Sequence, residues 1–138
     1  MRVVLDTNVV VSGLLWLGPP HDILALAVSG VISPCATEVM LAELHAVLSR
    51  PKFRQPIIRR KTTVDELVTS VAATVLLFEP TPTIVPQSLR DHSDAMFLAC
   101  AIAAHASVIV SGDNQLLEID GFEGIRIVSA SSFLSDVF

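Results

Sequence analysis

Apolar residues follow two patterns along this chain: short unbroken runs, and longer stripes at helical spacing. Val3–Leu5 run without a polar break into Asp6. Short apolar runs of this kind are typical of strands that are buried on both faces of a parallel sheet. Val108–Val110 repeat the pattern and lead through Ser-Gly into Asp113. We therefore predict two central strands, each followed at its carboxyl end by an aspartate.

The rest of the chain alternates between helical and strand patterns. Helices are predicted at 21–28, 38–49, 63–76, 93–105 and 129–138, a turn or short helix at 9–16, a helical turn at 114–119, and strands at 31–33 (closed by Pro34), 77–79 and 125–128. Strands that alternate with helices indicate an α/β fold. A length of 138 residues suits one domain, 1–138, with a single core. The predicted fold class is therefore α/β, with a parallel sheet of about four to five strands flanked by helices.

The helix predicted from Glu38 carries a glutamate in an unusual position. Thr37 is a candidate N-cap, and the apolar positions of the helix are Val39, Met40, Leu44, Val47 and Leu48. Glu43 lies on or beside this stripe, although Glu is rarely buried without a partner. Two interpretations stay open: Glu43 makes a salt bridge from an edge position, or it is an acidic ligand that faces Asp6.

Asp6, Asp91 and Asp94 each also have a purely structural explanation. Asp6 can cap the element that follows it. Asp91 and Asp94 lie just before and within the first turn of a helix that Ser93 can cap, where the helix dipole favours negative charge. Yet two strand-end aspartates, a core-facing glutamate and a helix-start aspartate can share one rim of the sheet. Open α/β sheets bind their ligands at that rim.

Carboxylates that converge there need a positive charge between them. Two of them 4 Å apart repel by ~1 kcal/mol in water and by ~4 kcal/mol at an effective dielectric of 20. The chain has no Cys/His cluster at zinc spacing, so a hard ion, Mg²⁺ or Mn²⁺, is indicated. Such an ion lowers the pKa of a bound water and bridges to phosphate oxygens. Metal-assisted phosphodiester hydrolysis needs no nucleophilic side chain, and the chain shows no Ser-His-Asp, Cys-His or Gly-rich phosphate motif.

Charge and composition add a second candidate surface. The formal net charge is −5, yet six of the nine Lys/Arg residues fall in one segment: Arg50, Lys52, Arg54, Arg59, Arg60 and Lys61. Such a basic segment can contact phosphate, or it can be an ordinary solvated surface. No apolar run approaches the roughly 20 residues of a membrane span, so we expect no membrane association. Cys35 and Cys100 lie among apolar neighbours, which predicts buried thiols and fits a reducing cytoplasm.

These motifs together resemble the PIN-domain family of ribonucleases, in the branch of toxins from toxin–antitoxin pairs. The matching pieces are Val4–Asn8, Glu43, Asp91–Leu98 and Val110–Asp113, and the resemblance covers essentially the whole chain. It implies that Asp6, Glu43, Asp94 and Asp113 form an acidic quartet that holds Mg²⁺ or Mn²⁺, supported by Asn8, Ser111 and Asp91. It further implies cleavage of single-stranded RNA by metal-activated water, an antitoxin protein as partner, and self-association into a dimer or larger assembly.

The chain departs from the family pattern at two positions, and two other functions stay open. His92 stands where relatives often carry Pro, and Ala95 where another acidic residue is common. One alternative is a PIN-like module that binds RNA or protein without catalysis. A site that binds no divalent ion would favour this alternative. The other is an aspartate-nucleophile phosphatase. Asn8 stands where those enzymes carry a second Asp, and Asn114–Leu117 supplies no further carboxylate.

Overall fold

The structure, a computed structural model, describes residues 1–80, 92–119 and 121–138. Its strands are β1 (Arg2–Leu5), β2 (Ser33–Ala36), β3 (Leu76–Leu77), β4 (Val108–Val110), β5 (Gly121–Phe122) and β6 (Ile125–Val128). Its helices are α1 (Thr7–Leu15), α2 (Pro19–Val28), α3 (Glu38–Leu48), α4 (Arg54–Arg59), α5 (Val64–Thr74), α6 (His92–Ala104), α7 (Asn114–Leu117) and α8 (Ala130–Ser132). A 3₁₀ turn (Pro51–Phe53) precedes α4, and a π-helical turn (Phe133–Val137) follows α8.

The strands form one sheet in the order β3-β2-β1-β4-β6-β5. Neighbouring strands pair in parallel except β5 and β6, which are antiparallel. The predicted α/β class with a helix-flanked parallel sheet is confirmed. The sheet has more strands than expected, because the two-residue β5 is too short to give a periodic signal.

The two predicted central strands lie side by side in the middle of the sheet. Val3 of β1 pairs with Val108 of β4, and the valines of both strands are at most 1% exposed. One core cluster packs on one face of the sheet around α1, α2 and α3, and a second packs on the other face around α6. Because both faces of these strands are buried, each strand has an unbroken apolar sequence.

Local capping sets the starts of several helices. Thr37 accepts a hydrogen bond from the Met40 backbone N–H at 3.3 Å, and Thr63 accepts one from the Glu66 N–H at 3.1 Å. The predicted Thr37 cap is confirmed. Helix α6 begins at His92, so the predicted Ser93 cap is wrong because Ser93 lies inside the helix, while Asp94 lies in the first turn as predicted.

Three predicted details are wrong. Strand β2 does not end before Pro34 but contains it, because the missing N–H of Pro34 faces the β3 side, where pairing begins only at Cys35. Val39 is not part of the apolar stripe, since its side chain is 61% exposed beside the N-terminus of α3. Helix α5 ends at Thr74 rather than at residue 76, because Leu76 and Leu77 pair with β2 instead.

The two cysteines are buried as predicted. Burial raises the pKa of the Cys100 thiol to about 12 and also raises the pKa of Cys35. Within the described ranges, no single helix is long and apolar enough to cross a membrane. Helices α1 and α2 together reach that length and composition, but only across a bend of 90°.

Candidate active site

Asp6 occupies the junction between the central strand and the first helix. Its backbone N–H donates to the Val110 carbonyl at 3.0 Å, which ties the end of β1 to the end of β4. Its Oδ1 caps α1 by accepting from the Val9 N–H at 2.8 Å. The side chain is only 4% exposed. The capping role is therefore real, but it uses one carboxylate oxygen and leaves the other for different partners.

The Ser-Gly-Asp turn after β4 wraps around that second oxygen. The Ser111 hydroxyl donates to Asp6 Oδ2, and the Gly112 N–H lies 3.4 Å from the same atom. Ser111 is fully buried, and its oxygen also accepts from the Asp113 N–H at 2.9 Å. Asp113 in turn caps α7 by accepting from the Gln115 N–H at 2.8 Å. Asp6, Ser111 and Asp113 thus form one hydrogen-bonded group at the carboxyl edge of the sheet.

The electrostatics of this group favour a bound cation. Burial raises the pKa of Asp6, hydrogen bonds from Ser111, Val9 and Gly112 lower it, and the negative charge of Asp113 raises it again. The two aspartates are therefore close enough to repel each other. A positive charge between them would relieve both the repulsion and the cost of burying an ionised carboxylate.

Glu43 is held beside the same edge by a residue that the sequence did not single out. The Thr7 hydroxyl donates to Glu43 Oε2 at 2.7 Å. Thr7 directly follows Asp6, so this hydrogen bond brings the half-buried Glu43 of α3 to the start of α1. The contact agrees with the interpretation of Glu43 as an acidic group that faces the Asp6 region.

Of the two remaining acidic candidates, the structure describes Asp94 but not Asp91. Asp94 is 3% exposed in the first turn of α6, a helix that packs on β1, β2 and β4, and its Oδ2 is shielded from solvent. Asp91 lies outside the described residues. Among the residues that are described, no three His, Cys, Asp or Glu side chains lie close enough to hold one ion as they stand.

A cleft of about 290 Å³, with a mostly apolar lining, borders Ser111 and Gly112 of the Ser-Gly-Asp turn. The predicted supporting residues Asn8 and Ser111 both line it, together with Ser12, Ser129 and Ser131. Ser129 directly follows β6, just as Ser111 follows β4 and Thr37 follows β2. A polar residue after each of these parallel strands was a signal in the sequence that could have identified Ser129. Nothing comparable marked Thr7, Ser12 or Ser131.

The donor set fits a hard divalent ion. Carboxylate and hydroxyl oxygens converge here, with neither a cysteine nor a histidine in the hydrogen-bonded group. Magnesium is commonly held by one or two carboxylates together with waters and substrate phosphates. The Asp6–Asp113 pair meets that requirement. Glu43 is hydrogen-bonded to Thr7, the residue next to Asp6 in the chain.

The basic segment lies elsewhere. The Arg60 guanidinium donates to the carbonyl of Leu15, the last residue of α1, whereas Asp6 caps the first turn of that helix. Nine residues of α-helix at 1.5 Å per residue separate the two ends by about 13 Å. The structure thus places Arg60 at the opposite end of α1 from Asp6, and none of the six predicted RNA-binding cations forms an ion pair with a carboxylate among the described residues.

Comparisons with known proteins agree with this fold. A chain in the crystal structure of VapBC2 from Rickettsia felis, bound to a DNA fragment from their promoter, is similar with a TM-score of 0.58 and 16% sequence identity. The similarity covers 92% of this chain and 97% of that one. No curated protein matches the chain. The PIN domain family model matches residues 2–115, a range that includes Asp6, Glu43, Asp94 and Asp113. The chain therefore belongs to the PIN domain family.

Proposed function

We propose that this chain is a Mg²⁺- or Mn²⁺-dependent endoribonuclease that hydrolyses single-stranded RNA, and that it acts in the cytoplasm as the toxin of a toxin–antitoxin pair. One observation carries the proposal. In a PIN domain, the buried Asp6 carboxylate has both oxygens held in place and has Asp113 beside it at the carboxyl edge of the sheet.

The acidic residues would hold the ion. Asp6 and Asp113 are the primary ligands in this proposal, and Glu43 and Asp94 complete the acidic set. When bound, the ion supplies a water of lowered pKa and a positive charge for phosphate oxygens. No side-chain nucleophile is then required.

Neighbouring groups prepare Asp6 for this role. The Ser111 hydroxyl and the Val9 and Gly112 N–H groups all donate to its carboxylate, which favours the ionised form against burial. Because these donors also fix the carboxylate plane, Asp6 has little rotational freedom to lose when it binds. Thr7 does the same for one oxygen of Glu43.

The cleft beside Ser111 would receive part of the RNA chain. Its lining is mostly apolar, and Asn8, Ser12, Ser129 and Ser131 supply its polar part next to Ser111. Such groups can donate to phosphate and ribose oxygens without reading the base sequence. This arrangement suits a nuclease that holds the scissile phosphate beside the carboxylates.

Two features support the antitoxin part of the proposal. One is the similarity of fold to a chain of VapBC2. The other is an apolar cavity of about 490 Å³ between α1, α2, α3 and α5, with Val10, Leu14, Leu24, Leu44 and Val71 in its lining. An apolar surface of this kind fits a protein segment with apolar side chains. Self-association into a dimer or larger assembly is part of the same proposal.

Cleavage of a mixed single-stranded RNA by purified protein tests the activity. We expect cleavage with Mn²⁺ and none with EDTA, and a loss of about 100-fold or more in Asp6→Asn. Asp22→Asn removes an equally charged but exposed carboxylate on α2 and is the matched control. If the wild type does not cleave and its melting temperature is unchanged by Mn²⁺, the nuclease proposal is wrong. Mn²⁺ binding without cleavage of any RNA would instead favour a non-catalytic module.

A further inference from the structure

A second surface, at the end of α1 opposite Asp6, combines cations with exposed apolar side chains. We call it the distal patch and define it by Trp16 and the six cations of residues 50–61, namely Arg50, Lys52, Arg54, Arg59, Arg60 and Lys61. All six cations are exposed. Arg60 reaches the Leu15 carbonyl at the last turn of α1, which brings this segment against Trp16.

The backbone of the segment is anchored to the core. Phe53 and Ile57 are 8% and 5% exposed and belong to the core cluster around α1 and α3. The Trp16 and Phe53 rings are 6.2 Å apart, centroid to centroid, and tilted by 57°. The Lys52 Nζ lies 5.0 Å from the centroid of the Phe53 ring. Trp16 is therefore flanked by Lys52 through Phe53 and by Arg60 through Leu15.

The charge of the patch is locally uncompensated. No acidic residue occurs between Glu43 and Asp65 in the sequence. Across the described part of the chain, the single ion pair is His45–Asp65, so none of the six cations is paired with a carboxylate. The rest of the chain carries three basic and all fourteen acidic residues, which gives it a formal charge of −11. The distal patch is thus a strongly positive area on an acidic protein, which is an electrostatic footprint for a polyanion.

The aromatic side chain decides which polyanion fits best. Trp16 is 47% exposed and contacts the basic segment through the Phe53 ring. Proteins that bind single-stranded nucleic acid without sequence readout combine a cationic surface with aromatic rings on which bases stack. We propose that the distal patch is an RNA exosite, which binds a single-stranded part of the substrate by stacking one base on Trp16 and pairing phosphates with the surrounding cations. This inference rests on the proposed ribonuclease function and names a substrate contact away from the acidic edge.

The chain carries its own probe for the test. Trp16 is the single tryptophan, and there is no tyrosine, so intrinsic fluorescence reports on the distal patch alone. The experiment is a titration of the full chain with a single-stranded oligoribonucleotide in EDTA, so that cleavage plays no part. We expect quenching of Trp16 fluorescence, with an affinity that falls steeply as salt rises because phosphate contacts release counterions.

Variants separate stacking from general attraction. Binding of fluorescently labelled RNA should weaken roughly 5- to 150-fold in Trp16→Ala, the usual value of one base–aromatic stack. Leu17→Ala, which removes an 85% exposed apolar neighbour, should bind as the wild type does. The double variant Lys52→Glu/Arg54→Glu should bind more weakly and with a shallower salt dependence. Arg126→Glu, a single charge reversal on the exposed side of β6, is the matched control for the single variant Lys52→Glu, which should also bind more weakly than the wild type.

The outcomes distinguish this inference from the proposed function. Quenching by RNA that depends on Trp16 and Lys52/Arg54 supports the exosite whether or not the protein cleaves RNA with Mn²⁺. No quenching, or equal binding by Arg126→Glu and Lys52→Glu proteins, overturns it even if cleavage is intact. An exposed tryptophan, an exposed leucine and six cations also suit an anionic membrane surface. Fluorescence changes with phosphatidylglycerol vesicles that are lost in Leu17→Ala, without changes from RNA, would likewise overturn the exosite.

Discussion

The Ser111 hydroxyl donates a hydrogen bond to the buried carboxylate of Asp6, although the two residues are 105 positions apart in the sequence. The same hydroxyl oxygen accepts from the Asp113 N–H. One fully buried side chain therefore fixes the position of both aspartates that follow the central strands. This relationship makes Ser111 a positioning residue whose removal should change how the site responds to pH.

Ser111→Ala should move the acid limb of the activity profile to higher pH. The Ser111 hydrogen bond lowers the pKa of Asp6, so its loss leaves burial less opposed and the pKa rises further. A higher pH is then needed to ionise Asp6. Stability should fall by about 1–3 kcal/mol, because the Asp113 N–H also loses its acceptor. Cleavage rate and urea unfolding measured from pH 5 to 9 check both effects. Ser135→Ala, an exposed hydroxyl, is the control, and an unshifted acid limb would argue against the positioning role.

Asp6→Asn should abolish activity yet stabilise the metal-free protein at neutral pH. Burial raises the pKa of Asp6 in the folded state above its ordinary value of 3.8. A raised pKa means that the folded state binds the proton more readily, so stability is greatest below the unfolded pKa and decreases as pH rises through the folded one. Asparagine does not ionise and removes this decrease, with a gain on the order of 1 kcal/mol.

The measurement for this prediction is melting temperature against pH in EDTA, for wild type and Asp6→Asn. The two curves should converge at low pH and separate as the pH rises toward neutrality. Added Mn²⁺ should raise the melting temperature of the wild type alone, since a ligand that binds only the folded state stabilises it. A variant that is less stable than the wild type throughout would contradict the account of Asp6 as a costly buried charge.

Thr7→Val should lower activity without unfolding the protein. The substitution keeps the β-branched shape but removes the donor to Glu43 Oε2, which lies 2.7 Å from the Thr7 hydroxyl. A hydrogen bond to a charged group is worth about 1.5–3 kcal/mol, so we expect roughly a tenfold or greater loss in kcat/KM. If Thr7 acts through Glu43, the double variant Thr7→Val/Glu43→Gln should be no worse than Glu43→Gln alone. Additive losses would show that Thr7 has a separate role.

Gly13→Ala should destabilise the fold, although alanine in a helix is usually favourable by about 1 kcal/mol over glycine. A Cβ at Gly13 would lie 2.7 Å from Leu24 Cδ1 and 2.8 Å from the Pro20 carbonyl oxygen. The carbonyl belongs to the backbone of α2, so α1 and α2 would have to separate, at a cost of about 1–3 kcal/mol. Gly112→Ala, where a Cβ meets nothing within 4 Å, is the control for the free energy of unfolding.

The sequence alone predicted most of the elements and the proximity of Asp6 and Asp113, but not β5. Apolar runs and helical stripes are local signals, and so are caps such as Thr37 and Thr63, whose partners lie three residues away. Parallel strands bring their carboxyl ends to one edge of a sheet. The strand-end positions of Asp6 and Asp113 are therefore enough to predict that these two carboxylates are neighbours.

Only the tertiary structure decided which side chains meet and which stay apart. Ser111 binds Asp6 and Thr7 binds Glu43 because separate elements pack together, and no local pattern encodes the partner of a hydroxyl. The same packing puts Pro34 inside β2, on the side where its missing N–H is tolerated, and puts the Arg60 segment at the far end of α1 from Asp6. Local periodicity is set by neighbours along the chain, whereas these contacts depend on the relative placement of whole helices and strands.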